Sequence, residues 1–267
     1  MARFRETGRA SFVRPVRDGA TADFANEIEF HLFEVNPALG LESISPMTCS
    51  LDRPDPTRAL QIALIMSFVG GFLDAYSYMG WGGVFAGAQS VNIIVAAIAV
   101  AQGDWLAATR HLPSIAAFCT GVVTAGSLKT PRMASLPFRL DIAVLALEAT
   151  ILLLIGILSP LLSASPATAV MAFAAGLQLT YFEHLHDWTY NSTMTTGNLR
   201  NLLEALTSMT FNRSTAAMEQ TIALSKAIAA FVVGGAIGGM ATLQLHGRAI
   251  CMAVPVLLVG ICKLSGL

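Results

Sequence analysis

From about residue 59 onward the chain runs in long apolar stretches separated by short polar ones. Six stretches, 59–79, 113–128, 140–162, 167–182, 222–243 and 249–264, hold enough apolar residues to cross a hydrocarbon core of about 30 Å as helices. Two more, 83–101 and 192–209, keep the helical period but open on Gly, Ser, Thr and Asn and carry less apolar material. The pattern predicts an all-α transmembrane bundle of about six spanning helices with two shorter, polar-started ones.

The stretches repeat. "GGFLDAYSYMGWGGVFAGAQSVNIIVAAI" from Gly70 and "GLQLTYFEHLHDWTYNSTMTTGNLRNLLEAL" from Gly176 align Gly71 with Gly176, Trp81 with Trp188 and Asn92 with Asn198. "FCTG" at Phe118–Gly121 is echoed by "FVVG" at Phe231–Gly234 on the next strongly apolar helix. The expected organisation is a first repeat over 59–165 and a second over 166–267, behind a polar extension over 1–58.

Composition agrees with the pattern. A mean hydropathy of +0.63, 54% hydrophobic residues and 12% charged residues place the chain in a lipid bilayer rather than in water. The extension is different in kind. It holds seven of the sixteen Lys and Arg residues and nine of the seventeen Asp and Glu residues, and is broken by Pro15, Pro37, Pro46, Pro54 and Pro56. It is expected to be disordered, or else to precede a true start at Met47. Arg3, Arg5 and Arg9 have no apolar run behind them, so it is not read as a secretory signal. A net charge of −1 with no basic stripe excludes nucleic acid as a partner. Cys49, Cys119, Cys251 and Cys262 are dispersed and read as packing residues, with no metal and no cofactor implied.

Charge placement suggests a topology. If the two polar-started segments re-enter rather than cross, and the N-terminus is cytoplasmic, then Arg53, Arg58, Lys129, Arg132, Arg139, Arg200, Arg213, Lys226 and Lys263 fall inside. Only Arg110 and Arg248 fall outside. Eight crossings would nearly abolish this bias. Six crossings give three per repeat, so the second copy would be inverted relative to the first.

The order "GGFLDA", "GGVFAGAQSVN", "AQGDW", "GLQ" and "MTTGNLRN" resembles the YoaK-like family of bacterial integral membrane proteins, described as a domain of unknown function. The resemblance covers roughly residues 59–264 and implies a multi-pass protein of the bacterial cytoplasmic membrane. Members usually show Ala-Gln-Thr-Gly-Asn or Met-Thr-Gly-Asn at the first polar start. Here that site reads Gln89-Ser90-Val91-Asn92, whereas Thr196-Gly197-Asn198 keeps the pattern.

The polar starts are the candidate chemistry. A helix N-terminus offers about four unpaired backbone N–H groups and a partial positive charge, so one held inside a membrane can bind a small polar or anionic solute. In transporters with inverted repeats such starts meet between the copies. Ser90, Asn92, Thr196, Gly197 and Asn198 are the candidate substrate-binding residues. The alternative is that they only cap their helices and join neighbouring ones. Asp74, toward the end of the first helix, and Glu148, near mid-bilayer, are added because intramembrane carboxyls are costly and tend to be functional.

Other features read more plainly. Arg200 and Glu204 can pair along one helix face, and Lys226 is expected as an interfacial anchor. The Glu183–Asp187 acid and histidine run is read as a solvated loop. Trp81, Trp105 and Trp188 are expected at headgroup level. Gly234-x-x-x-Gly238 permits close helix contact, either within the chain or in a homodimer. No enzyme signature is present, so no catalytic residue is expected. The reading is a small-solute transporter or channel with its site between two repeats, the alternative being a membrane protein with an assembly, sensing or structural role.

Overall fold

A computed structural model describes residues 56–134, 139–185, 188–189, 195–212 and 215–266. The polar extension therefore lies outside the described residues, except that the first helix begins inside it. Helix α1 spans Pro56–Gly80, α2 Gln89–Ala101, α3 Trp105–Leu128, α4 Leu140–Leu158 and α5 Ala164–Tyr181. Helix α6 spans Thr195–Asn212, α7 Thr215–Leu245 and α8 Ala253–Ser265. A 3-10 segment, His246–Met252, joins α7 to α8, and a single helical turn, Pro131–Ala134, follows α3. The one ladder among the described residues, His184–Leu185 against Trp188–Thr189, is two residues long on each side. The fold is all-α.

Several helix ends follow from local chemistry. Pro56 opens α1, where a missing N–H costs no helical bond. Asp104 caps α3, its carboxylate accepting from the Ala107 N–H at 2.9 Å. This cap starts α3 eight residues before the expected Pro113, which instead lies inside the helix. Gly82 and Gly83 both take positive φ in the turn that ends α1, a conformation that strains any side chain. After α3, Lys129 reaches the Thr180 carbonyl and pairs with Glu183 at 2.8 Å. Arg139 pairs with Asp141 ahead of α4, and that hydrogen bond raises the guanidinium's already high proton affinity.

Among the described residues, four helical stretches are long and apolar enough to cross a membrane. They are Thr57–Gly80, Trp105–Leu128, Leu140–Leu158 and the run Thr215–Ser265, which contains α7, the 3-10 segment and α8. Helix α2, at thirteen residues, is apolar but would reach only about 20 Å at 1.5 Å per residue. The main core lies where α1, α4, α5, the 3-10 segment and α8 converge, with Met66, Phe72, Leu145, Leu152, Met171 and Ile250 fully or almost fully buried.

Two helix crossings dominate the packing, α1 with α7 and α3 with α5. Each is built from the same four-residue unit, Phe-x-x-Gly, on both helices. A Cβ on Gly71 would collide with the Phe231 carbonyl, and one on Gly234 with the Phe68 carbonyl. At the other crossing a Cβ on Gly176 would collide with the Phe118 carbonyl, and one on Gly121 with the Phe173 carbonyl. Glycine lets each pair of backbones approach to direct contact. Gly238 continues the first crossing, since an added Cβ would fall 2.7 Å from the Phe72 carbonyl oxygen. Of the two readings of Gly234-x-x-x-Gly238, these distances describe the contact within the chain, with α1 against that face.

The tryptophans divide. Trp105 is exposed at the start of α3, as a headgroup-level residue would be, but Trp81 is buried in the main core, edge to face with Tyr76 at a 6.4 Å ring separation. The side chain of Trp188 lies outside the described residues.

Candidate functional site

The connection from α1 to α2 is held by polar side chains from three helices. On α1, Asp74 accepts from the Gly87 N–H at 2.6 Å. One turn later Ser77 accepts from the Ala86 N–H at 2.9 Å. Asp74 therefore lies at the N-terminal end of α2, where a helix start favours negative charge. At this start the chain itself supplies a side-chain acceptor.

Asn92, fully buried one turn into α2, fixes the next part of the connection. Its Oδ1 accepts from the Phe85 N–H at 3.0 Å, and its Nδ2 donates to the Phe85 carbonyl at 2.8 Å and to Gln89 Oε1 at 2.9 Å. The side-chain amide thus stands in for a strand partner of Phe85, and the two opposed bonds fix its orientation. Ser114 of α3 donates to the same carbonyl at 3.1 Å, and Gln89 Nε2 donates to the Ala86 carbonyl at 2.7 Å. His111, one turn before Ser114, approaches Asn92 Oδ1 with Nδ1 at 3.3 Å. Because that oxygen only accepts, the bond requires the proton on Nδ1.

Two of the predicted residues, Asp74 and Asn92, therefore belong to one buried network. Ser90 does not join it and is exposed on α2. Gln89, from the Gln89–Asn92 motif, completes the network with Ser77, His111 and Ser114, whose spacing carried no motif. Pro113 beside Ser114 looked like the start of a helix, which hid the polar first two turns of α3.

The second polar start is placed differently. Asn198 is buried at the beginning of α6, Gly197 is half-buried and Thr196 is exposed. Thr195 Oγ1 is buried and has no hydrogen-bond partner among the described residues. From Thr196 an open groove of about 630 Å³ follows the helix past Leu199, Arg200, Leu203, Glu204 and Thr207. Arg200 and Glu204, both largely exposed, pair along it at 2.8 Å. Helix α2 packs on α3 and α6 on α7, and among the described residues the side-chain partners of Asn92 lie in the α1–α2 connection, on α2 and on α3.

Glu148 stands apart from both. It lies near the middle of α4, is 1% exposed, and neither carboxyl oxygen has a hydrogen-bond partner among the described residues. Gln178, buried on α5, donates to the Met66 carbonyl at 3.0 Å while its Oε1 is likewise unpartnered. Among the described residues no three His, Cys, Asp or Glu side chains gather as a metal site requires.

An all-α chain with several helices of membrane-crossing length and an internally bonded polar connection between two of them is a multi-pass membrane protein. Residues 62–263 match the model of a family described as "Protein of unknown function (DUF1275)", and the chain belongs to that family. It is similar to the "UPF0700 transmembrane protein YoaK" of Bacillus subtilis (strain 168), with 26% identity over 212 residues, covering 76% of this chain and 94% of that protein. No solved structure matches.

Proposed function

We propose that the chain is a transporter or channel for a small polar or anionic solute, built from two copies of a three-crossing unit, with the solute held at the start of α6. The reciprocal crossings support the duplication. If α1 corresponds to α5 and α3 to α7, then Phe68 and Gly71 match Phe173 and Gly176, and Phe118 and Gly121 match Phe231 and Gly234. The first helix of each half would then grip the third helix of the other. A pseudo-two-fold axis relating the halves has this consequence.

The observation that carries the functional reading is the difference between the two starts. Asp74 fills the start of α2, where it accepts from the Gly87 N–H. In the matched register the second half has Leu179 at that place, so this position supplies no carboxylate to the start of α6. The groove from Thr196, lined by the paired Arg200 and Glu204, is the counterpart we assign to a ligand. With the N-terminus inside and both short helices re-entering, this groove opens to the cytoplasm of a bacterial inner membrane.

A second reading, a structural or assembly role without transport, is favoured by the network around Asn92, whose polar groups bond one another. Swelling of phosphatidylglycerol-containing vesicles separates the two. With the full chain incorporated, at least one of a panel of small anions and polyols enters several-fold faster than in empty vesicles, and Asn198→Ala slows that entry. If no solute enters faster than in empty vesicles, the structural reading stands instead.

A further inference from the structure

We propose that Glu148 is a proton-binding site, holding a proton in the closed bundle and exchanging it with water when the surrounding helices part. The proposal deepens the transport reading and rests on it only for the purpose of that exchange, which would couple solute movement to protons.

The geometry leaves the carboxyl no other stable state. Leu145, Ala149 and Leu152 on the same helix face belong to the main apolar core, and Val144 packs with Ala125 and Leu177 in a smaller one. An ionised carboxylate there would face hydrocarbon with both oxygens bare, which is heavily penalised. Among the described residues no cation offsets it. On α1, Arg58 is exposed at the first turn, Asp74 is engaged with Gly87, and the Tyr76 hydroxyl donates to the Gly247 carbonyl at 2.7 Å. On α3, Lys129 is taken by Glu183 at the helix end.

The elements packed directly on α4 add none. On α5, the ionisable Tyr181 stands at the end near Arg139 and Asp141. In the 3-10 segment, His246 and Arg248 are exposed, and Cys251 lies against Gly156, two turns beyond Glu148. On α8, Cys262 and Lys263 are exposed in the last turn. A metal ion would need a ring of several oxygens, whereas the other unpartnered side-chain oxygen bordering the main core is Gln178 Oε1. A protonated Glu148 carries no charge into this core and gains a donor. The step is simple in its balance: one O–H bond forms at a carboxyl oxygen as hydronium gives up its proton, and water takes that proton back.

Infrared spectroscopy of the full chain in lipid tests this without any transported solute. At neutral pH the protein should show the C=O stretch of a neutral carboxyl in apolar surroundings. Glu148→Gln, close in size, should remove that band, and Glu148→Asp should shift it. A spectrum in which neither substitution alters the protonated-carboxyl region at neutral pH overturns the proposal. A band that behaves as expected upholds it even where vesicle swelling shows no solute entry, so the two readings fail separately.

Discussion

Gly71 and Phe231 meet backbone to backbone where α1 crosses α7, and Gly176 and Phe118 meet in the same way where α5 crosses α3. The matched contacts lie on helices far apart in sequence, and each leaves no volume for a methyl group.

The first prediction follows from that missing volume. Gly71→Ala and Gly176→Ala should each destabilise the bundle by about 1–3 kcal/mol, the cost typical of forcing a methyl group into a packed interface. Gly126→Ala, on the exposed side of α3 with nothing within 4 Å of the added carbon, should change stability little. Thermal unfolding in detergent reads all three, and equal midpoints for Gly71→Ala and Gly126→Ala would refute the close crossing.

Asn92→Ala should strip Phe85 of the bond to its N–H and one of the two bonds to its carbonyl. A buried donor left unpaired costs about 1–3 kcal/mol. Hydrogen exchange at the Phe85 amide should accelerate, while amides in the middle of α4 keep their protection. Asn92→Asp retains an acceptor for the N–H and should slow that exchange relative to Asn92→Ala.

Asp74→Leu should release the Gly87 N–H and weaken the start of α2, whereas Asp74→Asn keeps an acceptor and should be milder. If Asp74 serves as the built-in anion of this start, halide added to Asp74→Asn protein should raise its melting temperature more than it raises that of the wild type. An identical halide response would contradict that role.

Lys129→Ala should cost no more than about 1 kcal/mol, since its partner Glu183 is also partly solvated and exposed ion pairs contribute little. Its more specific effect should be fraying of the end of α5, where Lys129 binds the Thr180 carbonyl. Exchange of amides in the last turn of α5 would show it, and unchanged exchange there would remove the capping role.

The sequence made the helical class legible because apolar runs of membrane length have few other uses. It also exposed Asn92 and Asp74, since an amide and a carboxylate among such runs are conspicuous. It did not reveal what Asp74 binds, because that depends on a backbone turn set by Gly82 and Gly83. Trp81 was misplaced for a related reason: a tryptophan near a helix end suits the interface, but this turn folds it into the core. Gln178, the last residue of "GLQ", was given no role, although it donates from α5 to the Met66 carbonyl. Gly234 and Gly238 did signal a close helix contact, and only the three-dimensional packing identified α1 as the occupant. The polar extension ahead of Pro56 and residues 186–187 and 190–194 of the connection ahead of α6 lie outside the described residues, so the readings made for them stand as expectations.

The central claim is that the halves are inverted copies whose short helices enter the membrane from opposite sides. It is tested most directly by replacing the native cysteines and introducing Ser90→Cys or Thr196→Cys, both at exposed positions, in the full chain in bacterial membranes. A membrane-impermeant thiol reagent should label Ser90→Cys in intact spheroplasts and Thr196→Cys only in inverted vesicles. Labelling of both from the same side would contradict the inverted arrangement.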